Sequence, residues 1–308
     1  MACFDRRVVR NAGYVVAGGA VRFLVVPVGS AGDVHPFVSI ALELKARGHD
    51  VTVVTNAYFA PLLEQVGLPS VSVGTVEQFD DITSNPRLWR RLHGLDVLAT
   101  AIGLRISPLY RLIEQEAACS NLVVVAHPLA FGARVAHETL EIPLVTVHLA
   151  PASFWSLHET PVLARGLGSI NALPRPLKRV LLAVSDRLAD RVIAPPVNRF
   201  RREIGLPPVR HIISRWWHSP QRVIGLFPNW FAAPQPDWPP QTTLTGFPLY
   251  DERGATGVPP DPTRFWRRRG PQAARRSSSL RAPGTVRLAG SSRRLATPAG
   301  GWGGAAFC

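Results

Sequence analysis

The chain has 308 residues, 46% of them apolar, and a formal net charge of +14. That length suits one large domain or two ordinary ones, and the charge at first suggests a polyanionic partner. Location removes that reading: residues 262–308 hold ten arginines and no Asp or Glu, while the other 25 basic residues against all 21 acidic ones leave residues 1–261 at only +4. The three cysteines, Cys3, Cys119 and Cys308, are odd in number and far apart, which argues against a disulfide framework or a zinc site and for a cytoplasmic setting.

In chain order, residues 1–20 read as an extension. Arg22 interrupts the apolar run that would otherwise imitate a cleaved signal. Val21–Val28 reads as a buried parallel strand, and the loop "GSAGDVHP" leads into the helix "FVSIALELKARGHD", closed by Gly48. "VTVVTN" is a second strand, Tyr58–Val66 a second helix and "LPSVSVG" a third strand. Pro86–Cys119 reads as mostly helical and amphipathic. "NLVVVAHP", a helix over Phe131–Leu140 and "PLVTVHLAP" continue the alternation, which predicts an α/β fold: a Rossmann-like parallel sheet covered on both faces. A long helix from Pro176 to about Gly205 and two short strands, "RVIGLFP" and "TTLTGFP", complete it. Residues 251–261 suit a linker, and beyond Arg264 no periodicity survives.

Ligands of open α/β sheets bind outside the carboxyl ends of the strands, so the first loop draws attention. Gly29 and Gly32 permit close backbone approach to a ligand, and Asp33 stands at a helix N-terminus, as an N-cap, a catalytic base or both. Pro36 suits the first helical turn. The spacing is not G-x-G-x-x-G, no acidic residue follows the second strand, and neither a P-loop nor a G-x-S-x-G elbow occurs; dinucleotide, P-loop nucleotide and α/β-hydrolase chemistry are therefore excluded.

"VGSAGDVHPFVSIALELKARGHDVTVVTN", "NLVVVAHPLAFGARVAHE", "FPNWFAAPQPDWPP" and "LTGFPLYDE" resemble the family 1 glycosyltransferases of GT-B fold, in the bacterial branch near sterol glucosyltransferases and rhamnosyltransferases. The resemblance implies that residues 21–250 are the N-terminal, acceptor-binding domain. It implies transfer of a hexose from a nucleotide-sugar co-substrate (UDP or dTDP) to a lipid, sterol or natural-product hydroxyl with inversion, and no other cofactor or metal. Asp33 then falls at the general base, with His127 orienting it or the acceptor. Gly29, Ser30, Gly32, His35, His148, Phe154 and Trp155 are the candidate acceptor-binding residues, although His127 equally suits a satisfied strand-end histidine and Phe154 and Trp155 equally suit core packing. The basic, apolar stretch 86–113 suits an ordinary amphipathic helix on the sheet and is otherwise a candidate for peripheral contact with the inner face of the membrane. No nucleic-acid-reading motif accompanies the basic tail.

The resemblance also implies a second α/β domain after the linker, and the Arg/Gly/Pro/Ser-rich residues 262–308 cannot build one. Read one base out of frame, the codons of Arg275–Pro283 permit an apolar strand followed by glycine, and those of Ala296–Cys308 permit a helix end and a new strand. The expectation is a disordered, frameshifted tail in place of the donor domain, and hence a chain inactive alone. The competing expectation is a non-catalytic acceptor-binding or scaffold module carrying a basic tail.

Overall fold

A computed structural model describes residues 20–89, 94–119, 121–159 and 171–248. The expected extension before residue 20, the linker over 251–261 and the tail over 262–308 lie outside the described residues.

Seven parallel strands form one sheet: β1 (Arg22–Val26), β2 (Asp50–Thr55), β3 (Ser70–Ser72), β4 (Leu122–Ala126), β5 (Leu144–His148), β6 (Arg222–Gly225) and β7 (Thr242–Leu244). Their spatial order is β3-β2-β1-β4-β5-β6-β7. Among the described residues six α-helices connect them: α1 (Ala31–Ala46), α2 (Ala60–Gln65), α3 (Val76–Thr83), α4 (Gly94–Cys119), α5 (Phe131–Leu140) and α6 (Arg175–Glu203). The order reverses between β1 and β4, which makes their carboxyl ends the topological switch point of the sheet.

Continuous valine-rich strands form here because both faces are buried. Successive side chains point to opposite faces: Leu24 and Val26 enter one core cluster with α4, α5 and α6, whereas Val25 enters the other with Val34, Phe37, Val38 and Ala41 of α1. β4 divides likewise, Val124 and Ala126 to the first cluster and Val125 to the second. The four α1 residues recur at helical spacing, so one stripe of that helix is spent on the sheet.

Three local readings change. Helix α1 begins at Ala31, not near Phe37, so Ser30 is the N-cap and Asp33 the third helical residue. Pro36 consequently lies past the first turn. Helix α3 was missed, although Thr75 and Gln78 form a capping box around its start. Between α6 and β6, where no element is expected from sequence, a π-turn spans Ile212–Trp216, preceded by His211 in the left-handed region at φ 57°.

Candidate acceptor site at the switch point

β1 and β4 pair in parallel through Val26↔Ala126. The loop carrying Gly29 to Asp33 and the residue His127 therefore leave the sheet side by side. His127 N–H extends the ladder by one bond, donating to Val26 C=O at 2.9 Å.

The Asp33 carboxylate is held from one side. Its Oδ2 accepts from Ser30 N–H at 2.7 Å and from the Ser30 hydroxyl at 3.1 Å. Among the described residues Oδ1 receives no hydrogen bond. Burial raises the carboxyl above the usual carboxylate range, outweighing the two Ser30 bonds that act to lower it. Gly29, at φ +138°, makes the approach possible, because a β-carbon there would overlap the Asp33 carboxylate. Gly32 has no such role: it is helical, and a β-carbon would meet only Ser30 Oγ, at 3.8 Å.

His127 Nδ1 accepts from Leu129 N–H at 3.3 Å, which leaves the proton on Nε2. Burial pushes its pKa down to about 3, so the ring is neutral near pH 7. Its edge meets Phe37 with centroids 6.1 Å apart, and Phe37 lies one helical turn beyond Asp33. Asp33 and His127 do not bond to each other; they stand on neighbouring strand ends, a carboxylate with one free oxygen and a neutral imidazole with one donor.

The other candidates divide by burial. His35 is half-buried on the second turn of α1, and Trp155 is half-buried after β5. His148 and Phe154 are 0% and 1% exposed. That corrects the expectation that these two line an acceptor pocket: they are core. Phe154 stacks on Trp238 and His218, with centroids at 4.5 and 5.6 Å. A chain of bonds fixes the proton positions around His148. The indole N–H of Trp217 donates to His218 Nε2 at 3.1 Å, so His218 carries its proton on Nδ1 and gives it to His148 Nε2 at 3.0 Å. His148 Nδ1 is then a buried donor without a partner. Burial lowers both histidines, His218 to about 4. Sequence spacing alone does not mark His218, because its partner is 70 residues away.

Among the described residues, one group could hold a cation. Asp186, Asp190 and His211 each offer one ligand atom, all within 4.8 Å of one another. Those atoms are already engaged: Asp186 pairs with His211, and Asp190 accepts from the backbone N–H groups of His211 and Ile212 at 2.6 and 3.0 Å. The cluster fixes the π-turn onto α6.

Comparison with known proteins finds a family match for part of the chain. Residues 23–154, which include both Asp33 and His127, match the glycosyltransferase family 28 N-terminal domain. The chain is 28% identical over 201 residues to an uncharacterized glycosyltransferase of Mycobacterium leprae, covering 63% of this chain and 44% of that protein. It is 27% identical over 248 residues to the O-mycaminosyltylonolide 6-deoxyallosyltransferase of Streptomyces fradiae, covering 76% and 56%. The chain thus spans about half the length of the curated relatives it matches. The fold resembles that of the glycotransferase of kitacinnamycin (TM-score 0.52, 20% identity, 79% of this chain and 56% of that one). It also resembles SnogD from Streptomyces nogalater (TM-score 0.50, 16% identity, 79% and 54%). Residues 23–154 thus match a glycosyltransferase N-terminal domain, and the described residues fold as the Rossmann-like N-terminal half of a GT-B enzyme.

Proposed function

We propose that this domain binds a small-molecule acceptor and activates its hydroxyl for attack on the anomeric carbon of a nucleotide-linked sugar. The observation that carries the reading is the Asp33 carboxylate at the switch point, with Oδ2 fixed by Ser30 and Oδ1 left open. A hydroxyl bonded to Oδ1 gives up its proton as its oxygen attacks C1 from the face opposite the nucleotide. The C1–O bond to the leaving diphosphate breaks, and the anomeric configuration inverts. A raised pKa makes Asp33 a stronger base than a solvated carboxylate. The neutral His127 donates from Nε2 to the acceptor and so positions it, without competing for the proton.

The acceptor we propose is a natural-product hydroxyl, and the donor a UDP- or dTDP-sugar. The Streptomyces fradiae relative, an O-mycaminosyltylonolide 6-deoxyallosyltransferase, supports the acceptor class. The chain spans about half the length of those relatives, so the reaction is tested in a hybrid. The test joins residues 20–248 to the donor half of the Streptomyces fradiae enzyme and examines the product by NMR. An inverted glycoside is expected. A retained configuration from an active hybrid would refute the mechanism.

A further inference from the structure

We propose that the outer face of α6 docks onto an anionic lipid surface. Leu177, Val180, Val184 and Leu188 stand out from this helix, 50%, 60%, 45% and 54% exposed. A single exposed leucine is ordinary. These four recur at intervals of three and four residues, so they form one line along the helix, and at 1.5 Å per residue that line is about 16 Å long. The line is separate from the stripe that holds α6 to the domain, because Ile193, Ala194, Val197 and Phe200 are buried in the core.

The cations select the partner. Arg175, Arg179, Arg187 and Arg191 are exposed; at 100° per residue Arg187 and Arg191 lie within about 60° of Val184 around the helix and belong to this face, whereas Arg175 and Arg179 fall on the other side. The only carboxylates from residue 175 to residue 199 are Asp186 and Asp190, and both are bound to the turn at His211 and Ile212. Among the described residues no carboxylate pairs with Arg179, Arg187 or Arg191. The outer face is therefore apolar and cationic, with no acid to offset it.

An anionic bilayer fits both halves of that pattern. The apolar line enters the headgroup boundary while the guanidinium groups meet lipid phosphates. A second copy of this face would instead oppose arginine with arginine. No described helix is long and apolar enough to cross a membrane, so the contact is peripheral. The stretch 86–113, a candidate for such a contact by sequence, shows no equivalent line among its described residues: the large apolar side chains that α4 exposes there are Leu95 and Leu104, nine residues apart.

The test is independent of sugar transfer. The full chain is sedimented with vesicles of two parts phosphatidylcholine to one part phosphatidylglycerol, and with phosphatidylcholine alone. Binding should require phosphatidylglycerol and weaken in high salt. The double variants Val184→Gln/Leu188→Gln and Arg187→Gln/Arg191→Gln should each lower the partition coefficient about tenfold. Glutamine is a good helix former at exposed positions, and circular dichroism verifies that both variants stay folded. No binding by the parent chain would overturn the proposal. So would undiminished binding by both variants, which would move the contact to the basic residues 262–308. A parent dimer that Val184→Gln/Leu188→Gln disperses would give the stripe to a second copy instead.

Discussion

The carboxylate of Asp33 occupies the space that a β-carbon on Gly29 would need. The strand end and the helix start thus meet at one atom pair. Gly29 supplies both the left-handed φ of +138° and the missing side chain, and Ser30, between them, supplies the two donors that aim the carboxylate. Gly29→Ala should displace Asp33 and remove sugar transfer in the hybrid enzyme, whereas Gly32→Ala should leave transfer and melting temperature within error of the parent. Kinetics and thermal melts of the two variants side by side check this.

Asp33 must be ionised to accept a proton, and burial raises its pKa. The rate should therefore fall as pH falls through that raised value, with the acid limb above the pH at which a solvated aspartate titrates. A carbon-detected NMR titration of the Asp33 carboxyl, on the protein without ligands, should place its midpoint above the ordinary 3.8. A midpoint at or below that value would mean that the Ser30 bonds outweigh burial.

Glu138 joins three groups from separate elements. It pairs with Arg201, with Arg134 at 2.9 Å, and accepts from the Trp216 indole at 2.7 Å. Arg201 is 3% exposed, so Glu138→Ala strands a buried charge as well as a buried N–H. The expected loss of stability is about 3 kcal/mol, measurable by urea unfolding. Glu138→Gln, which can still accept from Trp216, should cost less.

His218 is neutral in the fold, with its pKa lowered from 6.5 to about 4 by burial. The unfolded chain takes up that proton first as pH falls. The stability contribution of His218 is therefore complete above pH 6.5 and is lost progressively towards about pH 4, with a limiting slope of about 1.4 kcal/mol per pH unit. His127 and His148 are also buried and lowered, so stability measured from pH 7.5 to pH 4.5 should fall more steeply than one proton requires, and His218→Gln should reduce the slope by up to about 1.4 kcal/mol per pH unit.

The valine runs and the four helical positions of α1 were legible in the sequence because both follow from burial on a two-faced sheet. The boundary of α1 was not. "GSAGDVHP" reads as loop by composition, yet Ser30 begins a helix there, with the Asp33 side chain bonded back to it. The site residues divided in the same way. Asp33 and His127 could be placed because each adjoins a strand end. His148 and Phe154 also adjoin one, but their burial depends on Trp217, His218 and Trp238, which reach them across more than 60 residues of sequence. No local pattern records that contact. The outward stripe of α6 was hidden for a related reason: sequence gives a helix its apolar positions but not which of them face the sheet.

The measurement that decides the account is sugar transfer by Asp33→Asn in the hybrid enzyme, alongside acceptor binding and thermal melting. Asparagine keeps an oxygen for Ser30 and removes a charge that burial penalises, so the variant should melt at or above the parent temperature and still bind acceptor. Its turnover should fall by about 10² to 10⁴-fold, the usual contribution of a general base. Turnover within a few-fold of the parent, from a folded variant that binds acceptor, would show that Asp33 caps a helix and does not act as the base.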